Sequence, residues 1–294
     1  MVLEGVYTAL ITPFNKDESI DEPALREIVD YQINEGISGL VPMGTTGESP
    51  TLSHEEHIRA IEIVIDQANG RVPVIAGTGS NATSEALELT TQAMECGADA
   101  SLQVAPYYNK PTQEGFYRHF MKIADTVDIP LIIYNIPGRT GKNIENETML
   151  RMAKHPNIVG VKEASGNIDQ MMNLIMNKPD DFTVLSGDDN MTFPLIALGG
   201  RGVVSVASNY IPSLMVKFVS SMLGNKLEEA RVWHYRLLPF FKACFIETNP
   251  IPIKYAMVKK GFAKEIYRLP MCPMSDENKK KFEKILESVD SIKA

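Results

Sequence analysis

Ile158-Val159-Gly160-Val161-Lys162-Glu163-Ala164-Ser165-Gly166 is a β-branched apolar run that ends on a lysine and then breaks into small residues. Such a run reads as a buried strand followed by a loop. Its strand portion, Ile158 to Lys162, has seven counterparts: Val6 to Ile11, Gly39 to Val41, Pro73 to Ala76, Ala100 to Val104, Pro130 to Tyr134, Phe182 to Ser186 and Gly202 to Ser205. Amphipathic segments such as Glu22 to Gly36, Ser53 to Gln67, Ser84 to Cys96 and Phe116 to Asp125 alternate with them, and Gly36 and Gly97 are helix stops. Strand, loop and helix in repeated order imply a parallel sheet with crossover helices. Eight such units suit a closed (β/α)8 TIM barrel, an α/β fold, better than an open doubly wound sheet.

From about Lys226 the strand signals stop, and helical stretches broken at Asn249-Pro250-Ile251-Pro252 and Leu269-Pro270 follow. The expected division is a catalytic barrel over 1–224 and a C-terminal helical region over 225–294.

The composition narrows the function. With 29 Lys+Arg against 37 Asp+Glu the net charge of the 294 residues is −8, which disfavours nucleic acid and anionic membrane surfaces as partners. A 44% hydrophobic, 22% charged chain is of globular type. No apolar run reaches the roughly 18 residues of a membrane span, and the N-terminus lacks a basic, signal-like segment. Cys96, Cys244 and Cys272 form neither a disulfide framework nor a metal cluster, which fits a reducing cytoplasm.

In such a barrel the chemistry collects where strands end. A lysine carried into the interior by the sixth strand is costly as a cation; desolvation lowers its pKa and exposes a nucleophilic amine, the requirement for Schiff-base catalysis on a carbonyl. A lysine that reaches solvent or pairs with Glu163 is the competing reading of Lys162. Gly44-Thr45-Thr46-Gly47-Glu48-Ser49 offers a tight turn with backbone N–H groups and hydroxyls for a carboxylate, or serves only as a strand-to-helix turn before the capping box at Ser53 to Glu56. Tyr134 can relay protons and Arg139 can clamp a carboxylate. Pro106-Tyr107-Tyr108-Asn109 suits a loop or a subunit contact. Gly77 to Ala82 superficially matches a dinucleotide fingerprint, but it follows the third strand without the required acidic residue. His54 and His57 lie three apart, where a zinc motif of this kind needs four.

Seven motifs taken together, GTTGES (44–49), AGTGSN (76–81), PYYNKP (106–111), YNIPGRTG (134–141), VKEASG (161–166), SGDD (186–189) and NPIP (249–252), resemble the dihydrodipicolinate synthase family of pyruvate-dependent class I aldolases over essentially the whole chain. The resemblance implies that Lys162 forms a Schiff base with pyruvate and that the enamine attacks aspartate semialdehyde, with no metal or redox cofactor. Tyr134, Thr45 and Tyr108 would form the proton relay, Tyr108 entering from a neighbouring subunit. Thr46, Val204 and Gly187 would lie against pyruvate, the Val204 carbonyl close to Lys162, and Arg139 would bind the semialdehyde carboxylate. A homo-oligomer, a tetramer of paired dimers, is implied as well. Ser49, His54, His57, Asn81, Glu85 and Tyr107 match the positions at which family members bind inhibitory lysine, while Pro50 departs from the small residue often found there. N-acetylneuraminate lyases and 2-keto-3-deoxy sugar acid aldolases share the barrel and lysine; the Thr45-Thr46 pair and Arg139 favour the synthase. A non-catalytic binding barrel would be marked by loss of the lysine or the tyrosine, and both are present.

Overall fold

The computed structural model describes residues 3–292. Its strands are β1 (Gly5–Ala9), β2 (Gly39–Val41), β3 (Ile75–Gly77), β4 (Ala100–Val104), β5 (Leu131–Asn135), β6 (Ile158–Glu163), β7 (Thr183–Ser186) and β8 (Gly202–Ser205). The helices around them are α1 (Glu22–Asn34), α2 (His54–Ala68), α3 (Thr83–Glu95), α4 (Gln113–Thr126), α5 (Pro137–Thr140), α6 (Asn146–Met152), α7 (Ile168–Asn177), α8 (Thr192–Ala197) and α9 (Pro212–Leu223). Beyond the barrel come α10 (Leu227–Ala243), α11 (Ile251–Lys259) and α12 (Asp276–Asp290).

All strands pair in parallel in the order β2-β1-β8-β7-β6-β5-β4-β3. The two ends meet through a bridge between Leu40 and Val74, where the Leu40 N–H donates to the Pro73 carbonyl at 3.0 Å. The sheet is thereby closed, as the eightfold alternation implies. Strand bounds differ from the sequence reading by one or two residues. β3 and β5 begin after Pro73 and Pro130, which lack the N–H that a ladder uses. β1 ends sooner because the Asn209 side chain takes over the Ile11 N–H at 3.1 Å. Gly36 (φ +87°) and Gly97 (φ +95°) do terminate α1 and α3.

Side chains alternate across each strand. One set fills the barrel: Tyr7, Ala9, Val41, Ile75, Ala100, Leu102, Ile132, Tyr134, Leu185 and Val204 form one buried cluster. At the level of Tyr134, β6 presents Lys162 instead of an apolar side chain. The other set meets the helices. Leu237, Phe240 and Phe241 of α10 and Phe282 of α12 share one cluster with Phe14 and with Phe218 of α9, so the C-terminal helices are packed onto the barrel through a continuous core.

Candidate active site

The register of β5 and β6 sets Tyr134 opposite Lys162, and the Lys162 Nζ lies 3.9 Å from the centre of the Tyr134 ring. Lys162 is 6% exposed. Burial pulls its pKa down to about 8, partly opposed by the negative charges of Asp188 and Asp189. Burial also lifts the Tyr134 phenol above its ordinary range, with Asp188 adding to the effect. Among the described residues no carboxylate forms an ion pair with Lys162. Glu163, the next residue, belongs to the opposite face: its carboxylate accepts from the Ser165 N–H at 2.6 Å and from Asn135 Nδ2 at 3.1 Å. The alternation of the strand thus separates the lysine from its neighbouring acid, and Lys162 neither reaches solvent nor pairs with Glu163.

The turn after β2 is a short 3-10 segment, Thr45–Gly47. A Cβ on Gly47 would be tight, 3.3 Å from the Leu10 carbonyl, and Thr12 Oγ1 donates to the Gly47 carbonyl at 2.7 Å. Thr46 is 3% exposed, and its Oγ1 accepts from Asn249 Nδ2 at 3.0 Å. Arg139, on α5 just past β5, is exposed; its Nη2 donates to the Asn249 carbonyl at 3.4 Å. Asn249 therefore links the Thr46 turn to the arginine. The sequence reading quoted Asn249 within a motif but gave it no role. It also passed over Asp188, although the SGDD motif contains it; this half-buried acid is the carboxylate whose charge acts on Lys162 and Tyr134 together.

A cavity of about 350 Å³ opens above this centre. Thr45, Tyr134 and Arg139 line it together with Ser49, His54, His57, Glu85 and Tyr107. Glu85 accepts from the Ser80 hydroxyl at 2.6 Å, and Asn81 Nδ2 donates to the Tyr107 carbonyl at 3.2 Å beside the cavity. The ring of His57 bonds the Gly77 carbonyl through Nε2 at 2.7 Å, and burial lowers its pKa. Lys162, Thr46, Gly187 and Val204 are not in the cavity wall. Gly187 is close to the lysine, since a Cβ there would come within 3.2 Å of Lys162 Cγ, and Val204 packs in the interior cluster with Tyr134. Tyr108 stands apart, 89% exposed with φ +70°.

The two weak motifs have structural explanations. A Cβ on Gly77 would lie 2.4 Å from the Met43 carbonyl, and one on Gly79 2.3 Å from the Val104 nitrogen, so these glycines let neighbouring strand ends approach. His54 opens α2, where Ser53 and Glu56 complete the expected capping box. Among the described residues, no group of three or more His, Cys, Asp and Glu side chains is placed to hold a metal ion. The three cysteines are free, and no described helix is long and apolar enough to cross a membrane.

A closed parallel barrel that holds a desolvated amine against a tyrosine, beneath a cavity with an arginine in its wall, is a scaffold for amine–carbonyl chemistry. The chain belongs to the dihydrodipicolinate synthetase family, whose model matches residues 2–289. It is 51% identical over 291 residues to the 4-hydroxy-tetrahydrodipicolinate synthase of Geotalea daltonii, covering 99% of this chain and 100% of that one. Among solved structures, the chloride-inhibited dihydrodipicolinate synthase of Acinetobacter baumannii complexed with pyruvate matches with a TM-score of 0.97 at 40% identity, covering 99% of this chain and 100% of the other. The enzyme of Cyanidioschyzon merolae with lysine bound matches with a TM-score of 0.96 at 38% identity, covering 98% and 99%.

Proposed function

We propose that this protein condenses pyruvate with L-aspartate 4-semialdehyde to give 4-hydroxy-tetrahydrodipicolinate, the first committed step of diaminopimelate and lysine biosynthesis. The observation that carries the reading is Lys162: a buried amine without an ion-pair partner among the described residues, its pKa drawn down to about 8, set against Tyr134. The names of the relatives favour this reaction over that of the sister aldolases.

The neutral Lys162 amine adds to the pyruvate ketone, and loss of one water gives the Schiff base. Loss of a methyl proton gives an enamine, whose carbon attacks the semialdehyde aldehyde while the aldehyde oxygen takes up a proton. The substrate amine then displaces Lys162 from the imine carbon, closing the ring and freeing the lysine. Tyr134, Thr45 and Tyr108 carry the protons. Thr46, with Gly187 and the Val204 carbonyl, positions pyruvate beside Lys162, and Arg139 holds the semialdehyde carboxylate. Neither a metal nor a redox group enters this sequence of steps.

Tyr108, exposed and in the left-handed region, is suited to inserting into a neighbouring copy, and the working assembly is a homotetramer. Free lysine is the feedback inhibitor: Glu85 takes its ammonium, Asn81 and Tyr107 its carboxylate, with Ser49, His54 and His57 beside them. The enzyme acts in the cytoplasm. The division at 224/225 is one of labour: the barrel carries the reacting groups, and the C-terminal region supports the turn at Thr46.

The test is sodium borohydride reduction with pyruvate present, followed by intact and peptide mass spectrometry. Capture on Lys162, together with turnover in a semialdehyde assay, is expected. A folded protein that gains no pyruvate adduct would overturn the reading.

A further inference from the structure

Glu48 is an unusual residue at a sensitive place. Its backbone is left-handed (φ +56°), a region that costs a residue with a Cβ, and it joins two short 3-10 turns, Thr45–Gly47 and Ser49–Thr51. Its N–H donates to the Thr45 carbonyl at 3.1 Å, and its carbonyl accepts from the Thr51 N–H at 3.0 Å and the Thr51 hydroxyl at 2.9 Å. Its carboxylate is turned inward, where Oε1 meets Lys254 Nζ at 2.6 Å; the two side chains are 1% and 0% exposed.

Lys254 arrives from α11, 206 positions along the chain, and the centre of the Phe14 ring is 4.1 Å from its Nζ. Two further contacts from the same C-terminal region grip this loop. Asn249 Nδ2 bonds Thr46 Oγ1 at 3.0 Å, and Arg268 bonds the Thr51 carbonyl at 3.0 Å while pairing with Glu56 at 2.6 Å. A buried ion pair adds little stability over apolar residues of equal volume, so burial alone gives no reason for charges here. What the pair does supply is direction, because the short charge-assisted bond fixes where the junction of the two turns can lie.

We propose that Glu48 and Lys254 are a positioning pair, through which the C-terminal helical region holds the Thr45–Gly47 turn in the geometry that receives pyruvate. The proposal rests on the pyruvate reading above. Neither residue touches the reacting atoms; both act through Thr45 and Thr46. Loosening the pair therefore weakens the pyruvate step and leaves the semialdehyde step, which depends on Arg139, nearly unchanged.

The double substitution Glu48→Gln/Lys254→Met tests this, since it removes both charges at similar volume and leaves no lone buried ion. The expected result is a folded protein in which pyruvate KM, and the pyruvate concentration needed for half-maximal borohydride labelling of Lys162, rise about tenfold, with semialdehyde KM within twofold of the unaltered protein. Unchanged pyruvate KM, or equal rises in both KM values, would overturn the proposal. If the double variant does not fold, Glu48→Asp takes its place: it keeps both charges but shortens the reach, and the same split is expected, with an unaltered pyruvate KM again overturning the idea. Failure of the unaltered protein to be labelled at all would remove the pyruvate reading, and this inference with it.

Discussion

Among the described residues two lysines are buried, and they are treated in opposite ways. Lys254 is fully enclosed but has Glu48 Oε1 at 2.6 Å and the Phe14 ring at 4.1 Å. Lys162, 6% exposed, has the Tyr134 ring at 3.9 Å and, at longer range, the charges of Asp188 and Asp189 with that of Arg139 opposing them. Burial depresses the pKa of both. The difference lies in what remains for chemistry. An ammonium bonded to a carboxylate spends its proton on that bond and acts as a strut. An ammonium that faces a ring and remote charges gives up its proton at modest cost, and its lone pair is then free for a carbonyl.

That contrast makes predictions of opposite sign. Lys162→Met removes a desolvated cation without an ion-pair partner among the described residues, so activity should fall by roughly three orders of magnitude or more while thermal stability holds or rises. Assay and melting curve on the same sample check it; a large drop in melting temperature would show that Lys162 is also a strut. Lys254→Met leaves the Glu48 carboxylate buried alone, with its Oε2 already unbonded, and should cost about 3–5 kcal/mol in denaturant unfolding. A Lys254→Met protein as stable as the parent would erase the distinction between the two sites.

The two lysines also differ in how readily the sequence discloses them. Lys162 ends a β-branched run, and the strand period alone puts it on the side opposite Val161 and Glu163, so its place in the barrel could be read locally. Tyr134 follows from the same rule on the next strand, and Arg139 from its place just past that strand's end. Lys254 was invisible because its meaning depends on a partner 206 positions away. One local signal did exist: α11 is buried from Ile251 through Met257 on every side, so a lysine within it had to find an anion. Asn249 was hidden in the same way, its two partners lying on different βα loops. Closure of the barrel was legible from the count of eight units, whereas the exposure of Tyr108 could be seen only in the folded chain.

Charges around the Lys162 site sharpen the comparison at smaller scale. Arg139 is exposed and, among the described residues, meets only a backbone carbonyl, so its guanidinium is available for a substrate carboxylate. Arg139→Ala should raise semialdehyde KM by about tenfold or more and pyruvate KM by less than about twofold; equal effects in steady-state kinetics would count against its role. In the lysine site proposed above, Glu85 would bear on a third ammonium, that of free lysine. The one side-chain hydrogen bond of Glu85 among the described residues is with the Ser80 hydroxyl, and no described cation pairs with it. Glu85→Ala should remove a severalfold inhibition by millimolar lysine, read as the ratio of rates with and without lysine in the same preparation. Indifference of the unaltered enzyme to millimolar lysine would sink this assignment.

The smallest predicted effect is also the most direct probe of the freed proton. Lys162 has a folded pKa of about 8 against about 10.4 for an unburied lysine, so the fold disfavours its charged form. Below pH 8 the protonated lysine costs stability, and that cost disappears as pH rises from about 8 towards 10.4. The neutral amine gains mostly below that range: its fraction grows roughly fivefold between pH 7 and pH 8 and less than twofold thereafter. The rate of pyruvate-dependent borohydride labelling at Lys162 should follow that curve, with its inflection near pH 8. The inflection should persist in Glu48→Gln/Lys254→Met, because the strut has no part in the titration. A labelling rate still climbing tenfold per unit above pH 9 would mean that the interior withholds no charge from Lys162, and that the contrast with Lys254 is one of partners alone.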